Sequence, residues 1–423
     1  MKVAPGPQNR KSNLKVLVLD EEIPYPPNAG KRIRTWNLLR RLARSHSICL
    51  LSYGRLDSAA TEAVKNAGIR SCLVEPPQNS TSWRLYPHVL LSLLSPHPYS
   101  VVKHYSSRFE KKLKQLLADE HWDLIQCEWT PYARFIATDC GVPVLVTTHN
   151  VESDILARRA SQSSNLVPKI FFRDQERRMR RFEKEALRKA TAVTAVSMQD
   201  VETFRSWGFE RVRLVPNGVD VGAYRTGPTI CRDNELLFLA SLDWFPNIDA
   251  LDHFIDDILP IIRSRRPTIK LRVVGRRPSE QLKERCAQIP GIEFVGEVDD
   301  VASHLARASI VVVPLRIGGG SRLKILEAMA AGKAIVSTSI GAEGLDVVPG
   351  KHLLIADSPR EFAACTEQLL DSKEMRQHLG LQGRRLVERA YDWSRIARRL
   401  EDSWYEITGR GSTLKHDAKA QSA

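Results

Sequence analysis

The chain has 423 residues, of which 43% are hydrophobic and 26% charged, and it carries a net charge of +14. This length and balance are typical of a folded protein with about two domains, and they exclude a disordered or fibrous chain. The basic charge could attract an anionic membrane surface or phosphorylated ligands. No helix-turn-helix, zinc-finger or RNP signature occurs, so we expect no nucleic-acid partner.

Neither the ends of the chain nor its cysteines suggest export. Residues 1–13 are polar, lack the apolar stretch of a signal peptide and are expected to form a disordered tail, as are residues 411–423. The most apolar stretch, Val89 to Leu94, is too short to cross a bilayer. The seven cysteines lack CxxC or metal-type spacing, which fits a reducing compartment. We therefore expect a cytoplasmic protein.

In the first half, predicted strands alternate with helices. Lys15 to Leu19 is predicted to be a strand, and a Pro-rich loop leads from it to a helix that starts after Gly30. A strongly basic helix is predicted at about residues 171–190. The other strands are predicted at residues 47–52, 123–127, 142–148, 191–196 and 212–215. This alternation is typical of a doubly wound parallel sheet, so residues 14–220 are assigned to a first Rossmann-like domain.

The second half repeats the pattern after a linker. Pro-Asn-Gly at residues 216–218 is a strong turn signal, and the chain is irregular from there to about Asn234. Residues 231–390 are assigned to a second Rossmann-like domain, and amphipathic helices close the chain from about 361 to 408. The strands of this domain are predicted at residues 235–240, 270–274, 292–295, 310–314 and 334–337.

A glycine-rich loop at the start of a helix is the most informative segment. It consists of Gly318, Gly319, Gly320 and Ser321. A helix that begins near Ser321 would present free backbone N–H groups and the positive end of its dipole, which together form an anion site. Arg322 and Lys324 add positive charges that oppose the dipole by roughly 0.3–1 kcal/mol each, and a bound diphosphate would offset this. The alternative is a flexible loop with two solvated cations.

Other candidate residues lie near strand ends, where α/β sheets bind ligands. Glu327, farther along the same helix, is suited to accept hydrogen bonds from ribose hydroxyls, and an ordinary surface glutamate is the alternative. His149 follows a predicted strand and is either a site residue or a structural histidine. Gly30 would let a ligand approach the backbone, although the loop lacks the GxGxxG pattern of a standard NAD site.

Short motifs in order along the chain resemble glycosyltransferase family 4. They lie at residues 27–30, 148–152, 195–197, 215–220, 295–296 and 322–332. The segments 241–247 and 340–345 resemble a subgroup tied to bacterial surface and exopolysaccharide assembly. The resemblance implies a GT-B fold of the α/β class, in which two Rossmann-like domains face a central cleft. The segment 391–393 resembles the point of return to the first domain, so a helix at about 392–410 is expected to pack there.

The resemblance also implies an activity. It implies a retaining glycosyltransferase that moves a sugar from a nucleotide-sugar to a saccharide or lipid-linked acceptor, with no metal or other cofactor, in surface-polysaccharide or glycolipid assembly. Glu327 matches the ribose-binding glutamate, His149 matches the histidine that faces the transferred sugar, and Gly30 matches the loop that closes on the diphosphate. The expected donor site also includes Gly319, Gly320, Ser321, Arg322 and Lys324. Asp20 and Glu128, at strand ends of the first domain, could contact the acceptor, but a structural role is the alternative.

Two departures from the family pattern affect the donor site. The first of two glutamates in the usual Glu-x7-Glu pair is replaced by Gly319, which leaves the donor sugar open. The usual Arg and Lys after the first strand of the second domain are missing from residues 241–247. We hypothesise that Arg322 and Lys324 replace these cations from the opposite loop.

Several alternatives remain at this point. The basic helix at 171–190 could lie on an anionic membrane, or its apolar side could simply pack on the sheet. Because of Gly319 and the missing cations, the chain could be a catalytically silent nucleotide-sugar or partner-binding module. The sequence lacks the GxGxxG fingerprint of an NAD-dependent enzyme, which argues against that class. A sugar-phosphate synthase or phosphorylase of similar fold is a further alternative.

Overall fold

A computed structural model describes residues 13–55, 58–76, 95–137, 140–163, 165–224, 233–317 and 322–410. The first half of the chain forms a seven-stranded parallel sheet. Its strands are β1 Lys15–Leu19, β2 Ser47–Tyr53, β3 Arg70–Val74, β4 Leu124–Glu128, β5 Val144–Thr147, β6 Ala192–Ala195 and β7 Val212–Leu214. They lie in the order β3-β2-β1-β4-β5-β6-β7. This places β1 beside β4, which is the order of a Rossmann-like sheet.

Helices cover both faces of this first sheet, which is why both faces of its central strands are buried and most of their residues are apolar rather than alternating with polar ones. The helices are α1 Gly30–Leu42, α2 Ala59–Asn66, α3 Tyr99–Lys103, α4 Ser107–Asp119, α5 Glu152–Gln162, α6 Leu166–Arg188 and α7 Met198–Ser206, with a 3-10 turn at Thr130–Phe135. Successive residues of β1 point to opposite faces. Leu17 therefore packs in one apolar cluster with Phe182, and Val18 packs in the other with Leu38.

The second half forms a six-stranded parallel sheet. Its strands are β8 Glu235–Ser241, β9 Lys270–Arg276, β10 Ile292–Gly296, β11 Ile310–Val313, β12 Ala334–Ser337 and β13 Leu354–Ile355. They lie in the order β10-β9-β8-β11-β12-β13. The helices are α8 Phe245–His253, α9 Leu259–Arg265, α10 Glu280–Gln288, α11 Val301–Arg307, α12 Leu323–Ala330, α13 Ser339–Ala342, α14 Pro359–Asp371 and α15 Lys373–Ala390. A π turn at Phe254–Ile258 lies between α8 and α9, and a 3-10 turn at Val221–Ala223 precedes the sheet.

The last helix, α16 Trp393–Thr408, returns to the first half and packs on α1. Trp404 is fully buried there, in the apolar cluster that contains Leu38. The chain passes from the first half to the second near Val219 and returns near Tyr391. These two segments are hydrogen-bonded to each other: Val219 N donates to Tyr391 O at 2.8 Å, and Trp393 N donates to Val219 O at 3.2 Å. The expected fold class, two α/β domains built on parallel sheets, is confirmed.

Two helix starts differ from the sequence prediction. The basic helix begins at Leu166 rather than at about 171, so an additional turn precedes the predicted start. The helix after the glycine-rich loop begins at Leu323, with Arg322 as its N-cap residue, rather than near Ser321. Arg322 therefore lies at the cap and Lys324 in the first turn. Gly319, Gly320 and Ser321 lie outside the described residues.

Candidate active site

Three side chains meet at the carboxyl edge of the first sheet because β1, β4 and β5 are neighbours. Asp20 follows β1, Glu128 ends β4 and His149 follows β5. His149 Nε2 lies 3.4 Å from Glu128 Oε2. Both carboxyl groups are buried, with Asp20 at 1% and Glu128 at 0% exposure. Sequence positions more than a hundred residues apart thus form one polar centre.

Glu128 faces the interior of the domain. Its carboxylate accepts from Gln126 Nε2 at 2.5 Å and from Thr35 Oγ1 at 3.4 Å. Burial raises the pKa of Glu128, but the imidazole of His149 and the guanidinium of Arg34 more than offset this, and the pKa lies below its usual value. The geometry favours a carboxylate that orients His149, while the expected acceptor contact of Glu128 stays a prediction.

The pKa of the His149 imidazole lies below its usual value. Burial lowers its pKa, and the opposing effect of Glu128 does not compensate. Its Nε2 atom is buried and has no well-aligned hydrogen-bond partner among the described residues. The predicted role of His149 towards the transferred sugar remains a prediction.

Lys31 is a site residue that the sequence analysis did not single out. Its ammonium donates to Asp20 Oδ1 at 2.5 Å and to Glu21 Oε1 at 2.7 Å. Burial opposes its charge, but the two carboxylates raise the pKa of Lys31 above its usual value. Asp20 is therefore engaged in a buried ion pair through Oδ1, and its expected acceptor contact stays a prediction. The signal available in the sequence was a cation directly after Gly30, in the first turn of α1.

The second domain contributes Arg322 at the cap of α12. Its side chain is only 4% exposed, donates from Nη2 to Ile340 O at 2.9 Å and lies 3.5 Å from Glu343 Oε2. Burial lowers the pKa of Arg322 to about 10, so the guanidinium keeps its charge at neutral pH. A buried cation at a helix N-terminus favours an anionic ligand there.

Lys324, in the first turn of α12, links this helix to the segment after β8. Its ammonium donates to Asn247 Oδ1 at 2.8 Å, and Asn247 Nδ2 donates to Ser241 O at 2.8 Å. Burial and the charge of Arg322 lower the pKa of Lys324 to about 7. The second domain therefore places a cation beside residues 241–247, where the family's usual Arg and Lys are missing. This geometry supports the hypothesis that Arg322 and Lys324 replace those cations.

Glu327 lies one turn farther along α12. Burial raises the pKa of Glu327 to about 7, and the hydrogen bond from Tyr224 opposes this rise. Tyr224 directly follows the 3-10 turn Val221–Ala223, and the sequence analysis did not single it out. The same carboxylate raises the pKa of Tyr224, after the larger effect of burial. Arg322, Lys324 and Glu327 thus follow one another along the first turns of a single helix. Glu327 as a ribose contact stays a prediction.

The two halves of the site approach each other at Gly30. A Cβ atom added to Gly30 would lie 3.7 Å from Leu323 Cδ1, the side chain of the first residue of α12. The loop before α1 is thus in contact with the helix that carries Arg322 and Lys324. Within the described ranges, no group of three or more His, Cys, Asp or Glu side chains could hold a metal ion.

Family models match both halves of the chain. The model described as Glycosyltransferase Family 4 matches residues 29–222, and the model described as Glycosyl transferases group 1 matches residues 233–372. The first region contains Gly30, Glu128 and His149, and the second contains Arg322, Lys324 and Glu327. The chain belongs to glycosyltransferase family 4. The resemblance drawn from the motifs is thereby confirmed.

Two relatives of this family 4 chain are mannosyltransferases by name. The phosphatidyl-myo-inositol mannosyltransferase of Mycobacterium tuberculosis is 28% identical over 214 residues, which is 48% of this chain and 56% of the relative. The MMP alpha-(1->4)-mannosyltransferase of Mycolicibacterium hassiacum is 25% identical over 271 residues, 61% of this chain and 64% of the relative. The match thus spans little more than half the length of each relative.

Solved structures resemble this family 4 chain along nearly its whole length. Anabaena HepE in complex with UDP and glucose is 16% identical with a TM-score of 0.66, over 92% of this chain and 99% of that one. Sucrose-phosphate synthase from Thermosynechococcus elongatus is 16% identical with a TM-score of 0.69, over 94% and 100%. At this identity the likeness shows the fold alone, and it confirms the expected GT-B fold.

Proposed function

We propose that this family 4 chain transfers a sugar from a nucleotide-sugar to an acceptor hydroxyl in the cleft between its domains. The observation that carries the proposal is the series Arg322, Lys324 and Glu327 on one helix whose N-terminus contacts Gly30 of the other domain. A buried guanidinium, a partly buried ammonium and a partly buried carboxylate in this order suit a diphosphate followed by a ribose. The mannosyltransferase names of two relatives support the reaction class.

The donor would bind with its diphosphate at the N-terminus of α12. There the backbone N–H groups, the guanidinium of Arg322 and the ammonium of Lys324 would face the negative charge that grows on the leaving group. Glu327 would accept hydrogen bonds from the ribose hydroxyls. HepE, which shares the fold, is named as binding UDP and UDP-glucose, and this supports a nucleoside diphosphate as the common part of the donor.

The first domain would hold the acceptor and the transferred sugar. His149 would donate or accept a hydrogen bond at the sugar, with its ring oriented by Glu128 at 3.4 Å. We further propose that the reaction retains the anomeric configuration and needs no metal or other cofactor. The acceptor oxygen would then bond to the anomeric carbon on the face that the diphosphate leaves, and its proton would pass to the leaving phosphate oxygen.

We propose a saccharide or lipid-linked acceptor of cell-surface polysaccharide or glycolipid assembly, reached from the cytoplasmic face of a membrane. The basic helix supports this in part. Its side chains Met179, Phe182 and Leu187 are buried on the sheet, so these three cannot meet a membrane. The first turns of α6 differ, because Leu166, Val167 and Ile170 are 65–79% exposed there.

Basic side chains flank this exposed aliphatic tip, which we define as Leu166, Val167 and Ile170. Lys169 lies within the same first turn, and Arg173 and Arg177 follow in the next turns. Such a combination binds anionic lipid surfaces, with about 1 kcal/mol from each Lys or Arg near the surface. In the part of the chain that the structure describes, no helix could cross a membrane.

The test is a thermal-shift panel of nucleoside diphosphates and nucleotide-sugars without metal, with Glu327→Ala as the site variant and Glu284→Ala, an exposed glutamate of α10, as its control. The proposal expects one donor to stabilise the wild type and the control, by about 2.7 kcal/mol at a hundredfold excess over Kd, but not Glu327→Ala. Sugar release or transfer with that donor would then establish an enzyme. Donor binding without any turnover would instead favour the catalytically silent binding module that Gly319 keeps open.

A further inference from the structure

An ion-pair cluster joins the two domains at Glu343, which follows α13 in the second domain. Arg158, on α5 of the first domain, donates from Nη1 to Glu343 Oε2 at 3.1 Å and from Nη2 to Glu343 Oε1 at 3.0 Å. Arg322, in the candidate donor site, lies with Nη2 at 3.5 Å from the same Oε2 atom. One carboxylate thus contacts the acceptor domain and a donor-site cation at once.

The backbone beside Glu343 is built for this close approach. Gly344 has a φ of +81°, a conformation that residues with a Cβ rarely adopt. A Cβ atom there would lie 2.9 Å from the Cβ of Ser197, the N-cap residue of α7 in the first domain. Residues 340–345, which the sequence ties to a subgroup of the family, therefore seat the second domain on the first.

We propose that Glu343 is a positioning residue that couples domain closure to donor binding by exchanging its charge between Arg322 and Arg158. When the domains are closed, the paired hydrogen bonds from Arg158 neutralise the carboxylate. The positive charge of Arg322 is then available to the donor's diphosphate. When Arg158 is withdrawn, the full negative charge of Glu343 acts on Arg322 alone.

The geometry gives this exchange its direction. The Arg158 contact is bidentate and at hydrogen-bond distance, whereas the contact of Arg322 with Glu343 is longer and single. Bidentate guanidinium–carboxylate pairs are the stronger kind. The inference rests on the proposed function for the identity of the ligand, but the interdomain contact itself is independent of it.

A double-mutant cycle distinguishes coupling between domain closure and donor binding from an ion pair that only holds the domains together. Arg158→Ala should weaken binding of the nucleoside diphosphate by about fivefold or more, because an uncompensated carboxylate then lies beside Arg322. Adding Glu343→Gln should restore that affinity to within about twofold of wild type. The kcat should stay low, because the ion pair between Arg158 and Glu343 that joins the domains is lost. Arg158→Lys should recover part of both. Arg159→Ala, the next arginine of α5, which lies over the Phe172 ring in the same domain, is the matched control.

The measurements are calorimetric titration with UDP, GDP and ADP, steady-state kinetics with the matching donor, and small-angle scattering of each variant with and without nucleotide. The proposal is overturned if Arg158→Ala binds the nucleotide as Arg159→Ala does, or if Glu343→Gln fails to restore affinity. If no nucleotide binds the folded wild type, the proposed function itself fails, and this coupling fails with it.

Discussion

Gly30 and Leu323 lie 293 positions apart in sequence, yet a Cβ atom on Gly30 would be in van der Waals contact, at 3.7 Å, with Leu323 Cδ1. Gly30 begins α1 of the first domain and Leu323 begins α12 of the second. The N-termini of the two helices therefore meet in the cleft. Because each helix N-terminus is electropositive, their meeting point is suited to a ligand with several negative charges, such as a diphosphate.

The cations of α12 predict a pH dependence of nucleotide binding. The pKa of Lys324 is lowered to about 7, so the free protein loses this charge as the pH rises above 7. A diphosphate favours the charged form, so affinity should be highest below pH 7 and fall by up to about tenfold per pH unit above it. Arg322→Ala and Lys324→Ala should each weaken binding at pH 7.

Titration of UDP by calorimetry between pH 7 and 9 checks this prediction, since the terminal phosphate is already ionised in that range. Lys324→Arg keeps its charge and should flatten the curve. A slope that remains in Lys324→Arg near pH 7 would come from Glu327, whose pKa is raised to about 7, and one near pH 9 from Arg322, whose pKa is lowered to about 10. A wild-type affinity that is level from pH 7 to 9, or unchanged binding in both alanine variants, would show that these cations do not hold the diphosphate.

His149 should matter more for turnover than for donor binding. His149→Ala removes the partly buried imidazole beside Glu128 and should lower kcat by about 100-fold, with little change in the Kd for the nucleoside diphosphate. Glu128→Gln keeps the shape of the side chain but removes the charge that orients the ring, and should lower kcat less. Steady-state kinetics together with nucleotide titration separate the two effects. Equal losses in kcat and nucleotide affinity would contradict this assignment.

The aliphatic tip of α6 should bind anionic vesicles. Substitution of Leu166, Val167 and Ile170 by serine should reduce partitioning into vesicles that contain phosphatidylserine by at least about tenfold, because most of their apolar area is exposed and available to lipid. Leu381→Ser is the control, since Leu381 is a 50% exposed leucine of α15. Cosedimentation at two salt concentrations gives the measurement. Equal partitioning of the triple variant and the control would rule out this surface.

Gly218→Ala should destabilise the crossing between the domains. The new Cβ would lie 2.7 Å from Tyr391 O and 2.8 Å from the Trp393 ring, neither of which can move without disturbing the start of α16. We expect a loss of about 1–3 kcal/mol in the free energy of unfolding, measured by urea denaturation. Gly222→Ala, with 3.6 Å to its nearest neighbour, should cost much less. Similar losses in both variants would mean that the crossing adapts to the added atom.

The sequence by itself determined the two α/β halves, their parallel strands and the family. Apolar strands that alternate with amphipathic helices specify local structure, and a loop that enters a helix with Arg322 and Lys324 marks an anion site wherever the helix lies. His149 could also be singled out, because it follows directly on a predicted strand. These features depend on neighbours in sequence, so a pattern of residues is enough to find them.

Only the tertiary structure decided which residues that are distant in sequence lie together in the candidate site. Strand order places Glu128 beside His149, and the meeting of two domains places Arg158 and Arg322 on the same carboxylate of Glu343. It also showed that one face of the middle of the basic helix is buried, whereas the aliphatic side chains of its first turn are exposed. No periodicity in the chain encodes such contacts, because they depend on how separate elements pack, and burial then sets the charge of each group.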